Sequence, residues 1–347
     1  MDMEKIKQRL EALCKIPTVS GHESLYFDQI LNTLTEEEKN SLDEIKNDSF
    51  GNLILVKKSI KENAPTLMLD AHLDVIGFMV TDVCDGGFLK VASVGGIDTR
   101  VLPATHVYIN GKERIFGVIT STPPHLRKGE SSVPDVEDLM VDTGYSKEKL
   151  EEIVSIGDTI SFSPMYTPLL NNYVSATGLD DKSCACAILD FITSVDKKDL
   201  EYNVYGVLSA QEETGKWGPA RVAFDLDPDV AIITDVNFAK QKGVADDESI
   251  ECGKGPSVDI SSLCNRKLTK NLIKLFKDND LDFQIICEPG RTGTNNDAVS
   301  ISGQGIRTAV LSLPLKAMHT PSEVVKLDDI KTLSRAFTLI ATSKEAL

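Results

Sequence analysis

Basic residues are scarce in this sequence relative to acidic ones. Lys and Arg number 37 against 53 Asp and Glu, which gives a net charge of −16 at pH 7. A protein that binds duplex nucleic acid or an anionic membrane surface needs cationic surface, because it must neutralise phosphates or lipid headgroups. We therefore expect neither nucleic acid nor a membrane among the partners.

Long apolar runs and paired cysteine motifs are also missing. The chain contains no run of the roughly 18 apolar residues that a membrane-spanning helix requires. Its first residues lack the apolar segment of a secretory signal peptide. The seven cysteines are scattered, and Cys184 and Cys186 form a C-x-C pair rather than the C-x-x-C pair of zinc ribbons and redox motifs. These features predict a cytoplasmic protein with reduced, mostly buried thiols.

The pattern of helices and strands changes twice along the 347 residues. Outside residues 75–173, segments with helical spacing alternate with short aliphatic strands, which is typical of an α/β sheet. The predicted helices there span 3–16, 23–37, 183–195, 267–278 and 327–342, and the predicted strands span 52–57, 66–69, 202–208, 230–234, 283–287 and 308–313. Residues 75–173 instead carry short strands separated by Gly, Pro and Asp turns, with one helical segment at 146–153. We predict an α/β domain over 1–74 and 174–347, interrupted by an inserted all-β domain over 75–173.

Histidines and carboxylates cluster beside the predicted strands of the α/β part. The chain has only five histidines, and two of them, His72 and His319, follow aliphatic strands. The clusters contain His72, Asp74, Asp180, Asp181, Glu212, Glu213, Asp235 and His319. Open α/β sheets bind ligands at the carboxyl ends of their strands. These side chains are therefore the candidates for a functional site.

Each cluster has a plain structural explanation when it is taken alone. A histidine two residues before an aspartate is most often a hydrogen-bonded core histidine, Asp180 or Asp181 can cap a helix, and adjacent glutamates can lie in a solvated loop. Together, however, two imidazoles and several carboxylates are the ligands expected for a pair of divalent ions such as zinc, cobalt or manganese. One further carboxylate would then be free to act on a metal-bound water.

Short motifs along nearly the whole chain carry a family resemblance. They are 17–23 (PTVSGHE), 70–78 (DAHLDVIGF), 94–98 (VGGID), 122–126 (TPPHL), 179–182 (LDDK), 211–215 (QEETG), Asp235, 294–298 (TNNDA) and 318–323 (MHTPSE). In combination and order, these motifs resemble the M42 family of metallo-aminopeptidases, the group of the glutamyl and tetrahedral aminopeptidases.

The resemblance implies a role for each candidate residue. The implied metal ligands are His72 and Asp235 for one ion, Glu213 and His319 for the other, and Asp180 as the bridge between them. Glu212 would be the general base, and Asp74 would orient His72. The implied cofactors are two divalent metal ions per subunit, zinc or cobalt, since the ligand set suits both.

The resemblance also implies a zinc-peptidase-like α/β catalytic domain with an inserted all-β dimerisation domain. Family members commonly build dodecamers from dimers, so we expect a homo-oligomer. His106 and His125 lie in the inserted domain, and we assign neither to the metals, because lone histidines in such modules are more often surface or packing residues.

Some residues depart from the family pattern. Lys182 stands where family members usually have Arg, and Lys316-Ala317 stands where they tend to have Arg-Tyr. The loop after Glu213 also carries Trp217 and Pro219, which is unusual. A Lys ammonium is not equivalent to a planar guanidinium, so these positions bear on substrate preference.

The leading hypothesis is a cytoplasmic dinuclear metallo-aminopeptidase that acts on short peptides, with Glu212 as the base on a metal-bridging water. A related metallohydrolase, a deacylase or deblocking enzyme, would use the same metal chemistry. A glucanase would use paired carboxylates, but adjacent acids such as Glu212 and Glu213 seldom flank one bond from opposite sides. An inactive assembly protein would have lost a ligand or the base, and this chain keeps all of them.

Overall fold

The computed structural model describes residues 2–120 and 134–344 of the chain. The helices in these ranges are α1 (Met3–Cys14), α2 (Phe27–Leu31), α3 (Glu36–Asn40), α4 (Lys147–Ile153), α5 (Leu179–Ser194), α6 (Trp217–Leu226), α7 (Arg266–Asp278), α8 (Asn296–Val299) and α9 (Leu327–Thr342). Among these described residues, no helix combines the length and the apolar character that crossing a bilayer demands.

The strands of the same ranges form three separate sheets. They are β1 (Glu44–Asn47), β2 (Leu53–Lys57), β3 (Thr66–His72), β4 (Gly77–Cys84), β5 (Phe88–Val94), β6 (His106–Asn110), β7 (Arg114–Ile119), β8 (Met140–Asp142), β9 (Thr159–Phe162), β10 (Tyr166–Pro168), β11 (Tyr173–Ala176), β12 (Asn203–Ser209), β13 (Val230–Phe238), β14 (Ser257–Ser261), β15 (Gln284–Glu288), β16 (Thr308–Leu315) and β17 (Glu323–Lys326).

An eight-stranded mixed sheet is the centre of the α/β part, in the order β1-β2-β12-β3-β13-β16-β14-β15. Its middle strands, β12, β3, β13 and β16, run parallel to one another. Leu67 and Leu69 of β3 belong to a core cluster that includes residues of α1, α5 and α9, whereas Met68 belongs to a second cluster that includes residues of α6. Because both faces are covered, the middle strands read as continuous aliphatic runs.

A closed six-stranded barrel, in the order β4-β5-β8-β7-β6-β9, is built from residues 77–162. Its own apolar core contains Phe78, Val107 and Ile160, and α4 contributes Leu150 and Ile153 to it. Strands β10, β11 and β17 form a small third sheet. The barrel strands all fall within the range predicted to be all-β, while the proposed division into domains at 75 and 173 stays a prediction.

Most of the predicted elements are confirmed, and one is wrong. The helix predicted over 327–342 has the bounds of α9, and the predicted strands of the α/β part correspond to β2, β3, β12, β13, β15 and β16. The single helix predicted over 23–37 is wrong, because a new helix begins at Glu36 with Thr35 as its N-cap. The Thr35 hydroxyl accepts the Glu38 amide at 3.2 Å, and the Glu38 carboxylate accepts the Thr35 amide at 2.8 Å. This capping box separates α3 from α2.

Other elements were not predicted from the sequence, namely β1, β8, β10, β11, β14, β17, α6 and α8. Helix α6 carries Gly218 and Pro219 in its first turn, and these residues suggest a loop. Proline is tolerated there, because the first amides of a helix have no acceptor within the helix. The motif at 122–126, with His125, lies outside the described residues.

Candidate active site

The candidate residues meet at one edge of the central sheet. Strands β3 and β12 end side by side, with His72 paired to Ser209, and Glu212 follows shortly after. The neighbouring strands β13 and β16 carry Asp235 and lead to His319. A cleft of about 410 Å³ opens at this edge. Its lining includes His72, Asp180, Glu212, Glu213, Asp235 and His319.

His72 is buried and surrounded by acceptors. Its Nδ1 lies 2.9 Å from the backbone carbonyl of Asp74, and its Nε2 lies 3.1 Å from Asp180 Oδ1 and 3.7 Å from Asp235 Oδ1. Although burial opposes protonation, hydrogen bonds with the Asp180, Asp235 and Asp74 carboxylates raise the pKa of His72 well above its ordinary value. In the neutral imidazole, with Nδ1–H donating to the carbonyl, Nε2 would present a lone pair toward the carboxylates, where a bound cation would replace the Nε2 proton.

Asp180 lies between the two histidines. Its Oδ1 is 3.1 Å from His72 Nε2, and its Oδ2 is 3.4 Å from His319 Nε2. Burial alone would raise the pKa of this carboxyl, but hydrogen bonds with His319 and His72 hold it well below its usual range. One carboxylate therefore faces both imidazoles with a different oxygen toward each.

Two groups of side chains bring their ligand atoms within 4.8 Å of one another. One group is His72, Asp180 and Glu213, and the other is His72, Asp181 and Asp235. His319 lies beside the first group, with its Nε2 3.6 Å from Glu213 Oε2. All the ligands predicted from the sequence are thus brought together. Asp181, which was not predicted as a ligand, lies with them.

Asp74 holds the two glutamates in place. Its carboxylate accepts the backbone amides of Glu212 and Glu213, each at 3.0 Å. The same carboxylate lies 3.6 Å from His72 Nδ1. One fully buried aspartate therefore connects the end of β3 to the turn that carries both glutamates.

Glu323 connects the other side of the site and was not assigned from the sequence. It is buried, and its carboxylate accepts the backbone amides of Asp180 at 3.1 Å and His319 at 3.0 Å. Burial, together with the nearby Asp180 charge, raises the pKa of Glu323 to about 8. It ties the start of α5 to the loop of His319, much as Asp74 ties β3 to the glutamates. In the sequence, only its position in the motif at 318–323 indicated that Glu323 belongs to the site.

Glu212 belongs to neither group of ligand atoms. Its Oε1 lies 3.1 Å from the Lys216 ammonium. Burial raises the pKa of Glu212 to about 7, although His72 and Lys216 oppose the shift. Glu212 therefore lies beside the candidate metal ligands without belonging to either group, which makes it a candidate for a general base.

The lysines that depart from the family pattern face away from the cleft. Lys182 is buried, and its ammonium donates to the carbonyl of Ile16 at 2.5 Å. The Lys316 ammonium lies 5.6 Å from the centre of the Tyr173 ring. Neither belongs to the cleft lining found among the described residues. His106 makes an edge-to-face contact with Phe116 in the barrel, at 5.1 Å between ring centres.

The donor set fits divalent metal ions. Burial is the largest cause that raises the pKa values of Glu213, Asp235 and Asp181, and the charge of a neighbouring aspartate adds to it in each case. Asp181 Oδ2 is buried without a hydrogen-bond partner among the described residues. Packed carboxylates of this kind need a cation to stay ionised. Imidazole nitrogens with carboxylate oxygens are ligands that zinc and similar ions accept.

Sequence comparison decides the family. A model of the M42 glutamyl aminopeptidase family matches residues 51–335. The chain belongs to the M42 family. The resemblance predicted from its motifs is therefore confirmed.

Similar proteins match over almost their whole lengths. The lysyl aminopeptidase of Pyrococcus furiosus is 33% identical over 95% of this chain and 94% of its own. An aminopeptidase from the archaeon Desulfurococcus kamchatkensis shares the fold with a TM-score of 0.90 and 26% identity, over 98% of this chain and 95% of its own. The TET1 peptidase of Pyrococcus horikoshii, described as assembling into a tetrahedron or a large octahedral shell, has a TM-score of 0.84 and 31% identity, over 97% of this chain and 99% of its own.

This M42 protein is a metal-dependent aminopeptidase, a peptide hydrolase. Its mixed α/β architecture, consistent with a catalytic domain plus an inserted domain, is the predicted fold class. The leading hypothesis from the sequence is therefore confirmed at the level of family and activity.

Proposed function

We propose that this M42 aminopeptidase holds two divalent ions, zinc or cobalt, and removes N-terminal residues from short peptides. His72 and Asp235 would bind one ion, Glu213 and His319 the other, and Asp180 both. The observation that carries this proposal is the position of Asp180, with its two oxygens 3.1 and 3.4 Å from the two imidazoles. When bound, the ions would polarise the scissile carbonyl and lower the pKa of water.

The side chains of this M42 protein would move the proton. Glu212 accepts a proton from the attacking water and passes it to the leaving amine, since it lies in the cleft and outside the ligand groups. Asp74 positions this base, because its carboxylate binds the amides of both glutamates. Its 3.6 Å contact also supports the proposal that Asp74 orients His72.

Metal analysis with a matched substrate panel tests this function. We expect two ions per chain by mass spectrometry of the digested protein. We also expect hydrolysis of aminoacyl p-nitroanilides and no hydrolysis of their N-acetylated counterparts. Faster cleavage of the acetylated substrates would favour a deblocking enzyme instead. One ion per chain in the fully active enzyme would contradict the dinuclear centre.

We also propose a preference for basic N-terminal residues. Glu288 lines the cleft, and its Oε1 accepts the Asn237 side-chain amide at 2.8 Å. Its Oε2 is buried and has no hydrogen-bond partner among the described residues. A substrate ammonium or guanidinium would satisfy this oxygen. The name of the lysyl aminopeptidase, the relative 33% identical, supports the same preference.

We propose that the barrel, within residues 75–173, mediates dimerisation, and that the dimers assemble further, as dodecamers. The assemblies named for the Pyrococcus horikoshii relative support this. Native mass spectrometry should give a multiple of the dimer mass, and replacing residues 75–173 by a short linker should lower the number of subunits per particle. An unchanged number of subunits would assign assembly to the α/β part.

We place this activity in the cytoplasm. All seven cysteines are free in the structure, and Cys14, Cys184, Cys186 and Cys264 are buried. Free thiols persist in a reducing compartment. Cell fractionation that recovers the protein outside the cytosolic fraction would contradict the assignment.

A further inference from the structure

Lys216 is held beside the base by an unusual turn. Its backbone φ is 62°, a left-handed value, and its amide donates to the carbonyls of Gln211 at 2.8 Å and Glu212 at 3.2 Å. The preceding Gly215 has a φ of +150°, and a Cβ at this position would lie 2.3 Å from the Trp217 ring nitrogen. A side chain at this backbone φ would be strained and would have to displace the Trp217 ring. The turn therefore folds Lys216 back over Glu212.

The Lys216–Glu212 pair differs from an ordinary surface ion pair. Its two side chains are 23% and 10% exposed, and the distance from Lys216 Nζ to Glu212 Oε1 is 3.1 Å. Exposed pairs contribute little because water screens them, whereas a largely buried pair restricts both partners. Among the described residues that line the cleft, Lys216 is the one Lys or Arg.

We propose that Lys216 is a positioning residue that holds the Glu212 carboxylate by Oε1 and leaves Oε2 to receive the proton of the attacking water. The proposal rests on the proposed role of Glu212 as the base. A Glu side chain has three rotatable bonds, and a base must stay within hydrogen-bond reach of the proton that it takes. No other side chain of the described part is seen to pair with the Glu212 carboxylate.

The test compares Lys216→Met, which keeps most of the side-chain length, with Lys216→Arg, which keeps the charge. We expect Lys216→Met to lower kcat by at least about tenfold, since misplacement by about 1 Å can cost about a hundredfold. KM, metal content and the affinity for an amino-acid hydroxamate inhibitor should stay near those of the unmodified enzyme. Lys216→Arg should restore most of kcat.

A matched control uses another ion pair of the same spacing. Lys15 pairs with Glu11 at 2.8 Å and is 61% exposed. Lys15→Met should leave kcat unchanged. An equal fall in kcat in both variants would show that the effect is not specific to the cleft and would overturn the proposal.

A double variant separates the proposal from the role of Glu212 itself. If Lys216 acts through Glu212, Lys216→Met should lower kcat no further when Glu212→Gln is already present. A further fall in that background, or a rise in KM at unchanged kcat in Lys216→Met alone, would show that Lys216 contacts substrate and overturn the proposal. Full activity of the Glu212→Gln variant would instead refute the assignment of Glu212 as the general base.

Discussion

Replacing Glu212 by Gln should separate metal binding from turnover. Glutamine has nearly the same shape and can still accept a hydrogen bond from the Lys216 ammonium, now 3.1 Å from Oε1. It cannot take a proton from water. Because Glu212 belongs to neither group of clustered ligand atoms, the ions should stay bound.

The expected loss of activity follows from the contribution of a positioned base. General bases contribute about a hundredfold or more, so kcat should fall by at least that factor. A hundredfold fall corresponds to about 2.7 kcal/mol of transition-state stabilisation. Steady-state kinetics on an aminoacyl p-nitroanilide would measure the fall. Elemental analysis would measure the retained metal content, and calorimetry with a hydroxamate inhibitor would measure the retained affinity for the inhibitor.

Glu213→Gln is the natural control, because the two glutamates are adjacent and share the Asp74 carboxylate as acceptor of their amides. Glu213 belongs to a ligand group, so its variant should lose metal. If Glu212→Gln loses metal while Glu213→Gln keeps it and loses only turnover, the two roles are reversed. If Glu212→Gln keeps both metal and full kcat, another group is the base.

Two further variants test the bridge and the specificity residue. Asp180→Ala should remove both ions or leave one bound weakly, because the two imidazoles each face one Asp180 oxygen. Retention of two ions at unchanged affinity, measured by titration against a chelator, would transfer the bridge to Asp181. Glu288→Gln should lower kcat/KM for Lys and Arg p-nitroanilides at least about tenfold and leave the Leu substrate unchanged, since a charge-assisted hydrogen bond contributes about 1.5–3 kcal/mol. An equal fall for all three substrates would show that Glu288 acts on structure rather than specificity.

The sequence was sufficient to predict that the main site residues lie close together, and the reason is geometric. His72 and Asp235 lie on parallel neighbouring strands, and Glu213 and His319 follow such strands, so that the carboxyl ends of the sheet bring them to one edge. The order of motifs then supplied a role for each residue. Neither step requires the direction of any individual side chain.

The contributions of Asp181 and Glu323 depend on such directions and were missed. Asp181 looks like a helix cap in the sequence, and its Oδ1 does accept the Cys184 amide at 3.3 Å. Its Oδ2 is buried without a hydrogen-bond partner among the described residues, and one of its oxygens lies within 4.8 Å of candidate ligand atoms of His72 and Asp235. Glu323 is far along the chain from Asp180, and its role requires knowing that the amides of Asp180 and His319 point to one place. The spacing of residues along the chain does not show that these two backbone amides point to the same place.

A buried carboxylate outside the candidate ligand set should make stability depend on pH. Asp259 is fully buried, and its two oxygens accept the hydroxyls of Ser257 and Ser312, both at 2.5 Å. Burial raises the pKa of Asp259 from 3.8 to about 7. The folded protein therefore holds this proton more tightly than the unfolded chain, so that stability is lost as the pH rises from about 4 toward 7.

Asp259→Asn should remove this loss. The shift in the pKa of Asp259 corresponds to a change on the order of 4 kcal/mol in the free energy of unfolding. The free energy of unfolding, measured by denaturant titration from pH 5 to pH 8, should fall less steeply in the variant than in the unmodified protein. Asp225→Asn, at an exposed carboxylate paired with Arg221 at 2.8 Å, should keep the original slope. If Asp259→Asn also keeps that slope, Asp259 does not change protonation on folding, and the two serine hydroxyls stabilise its charge as well as water does.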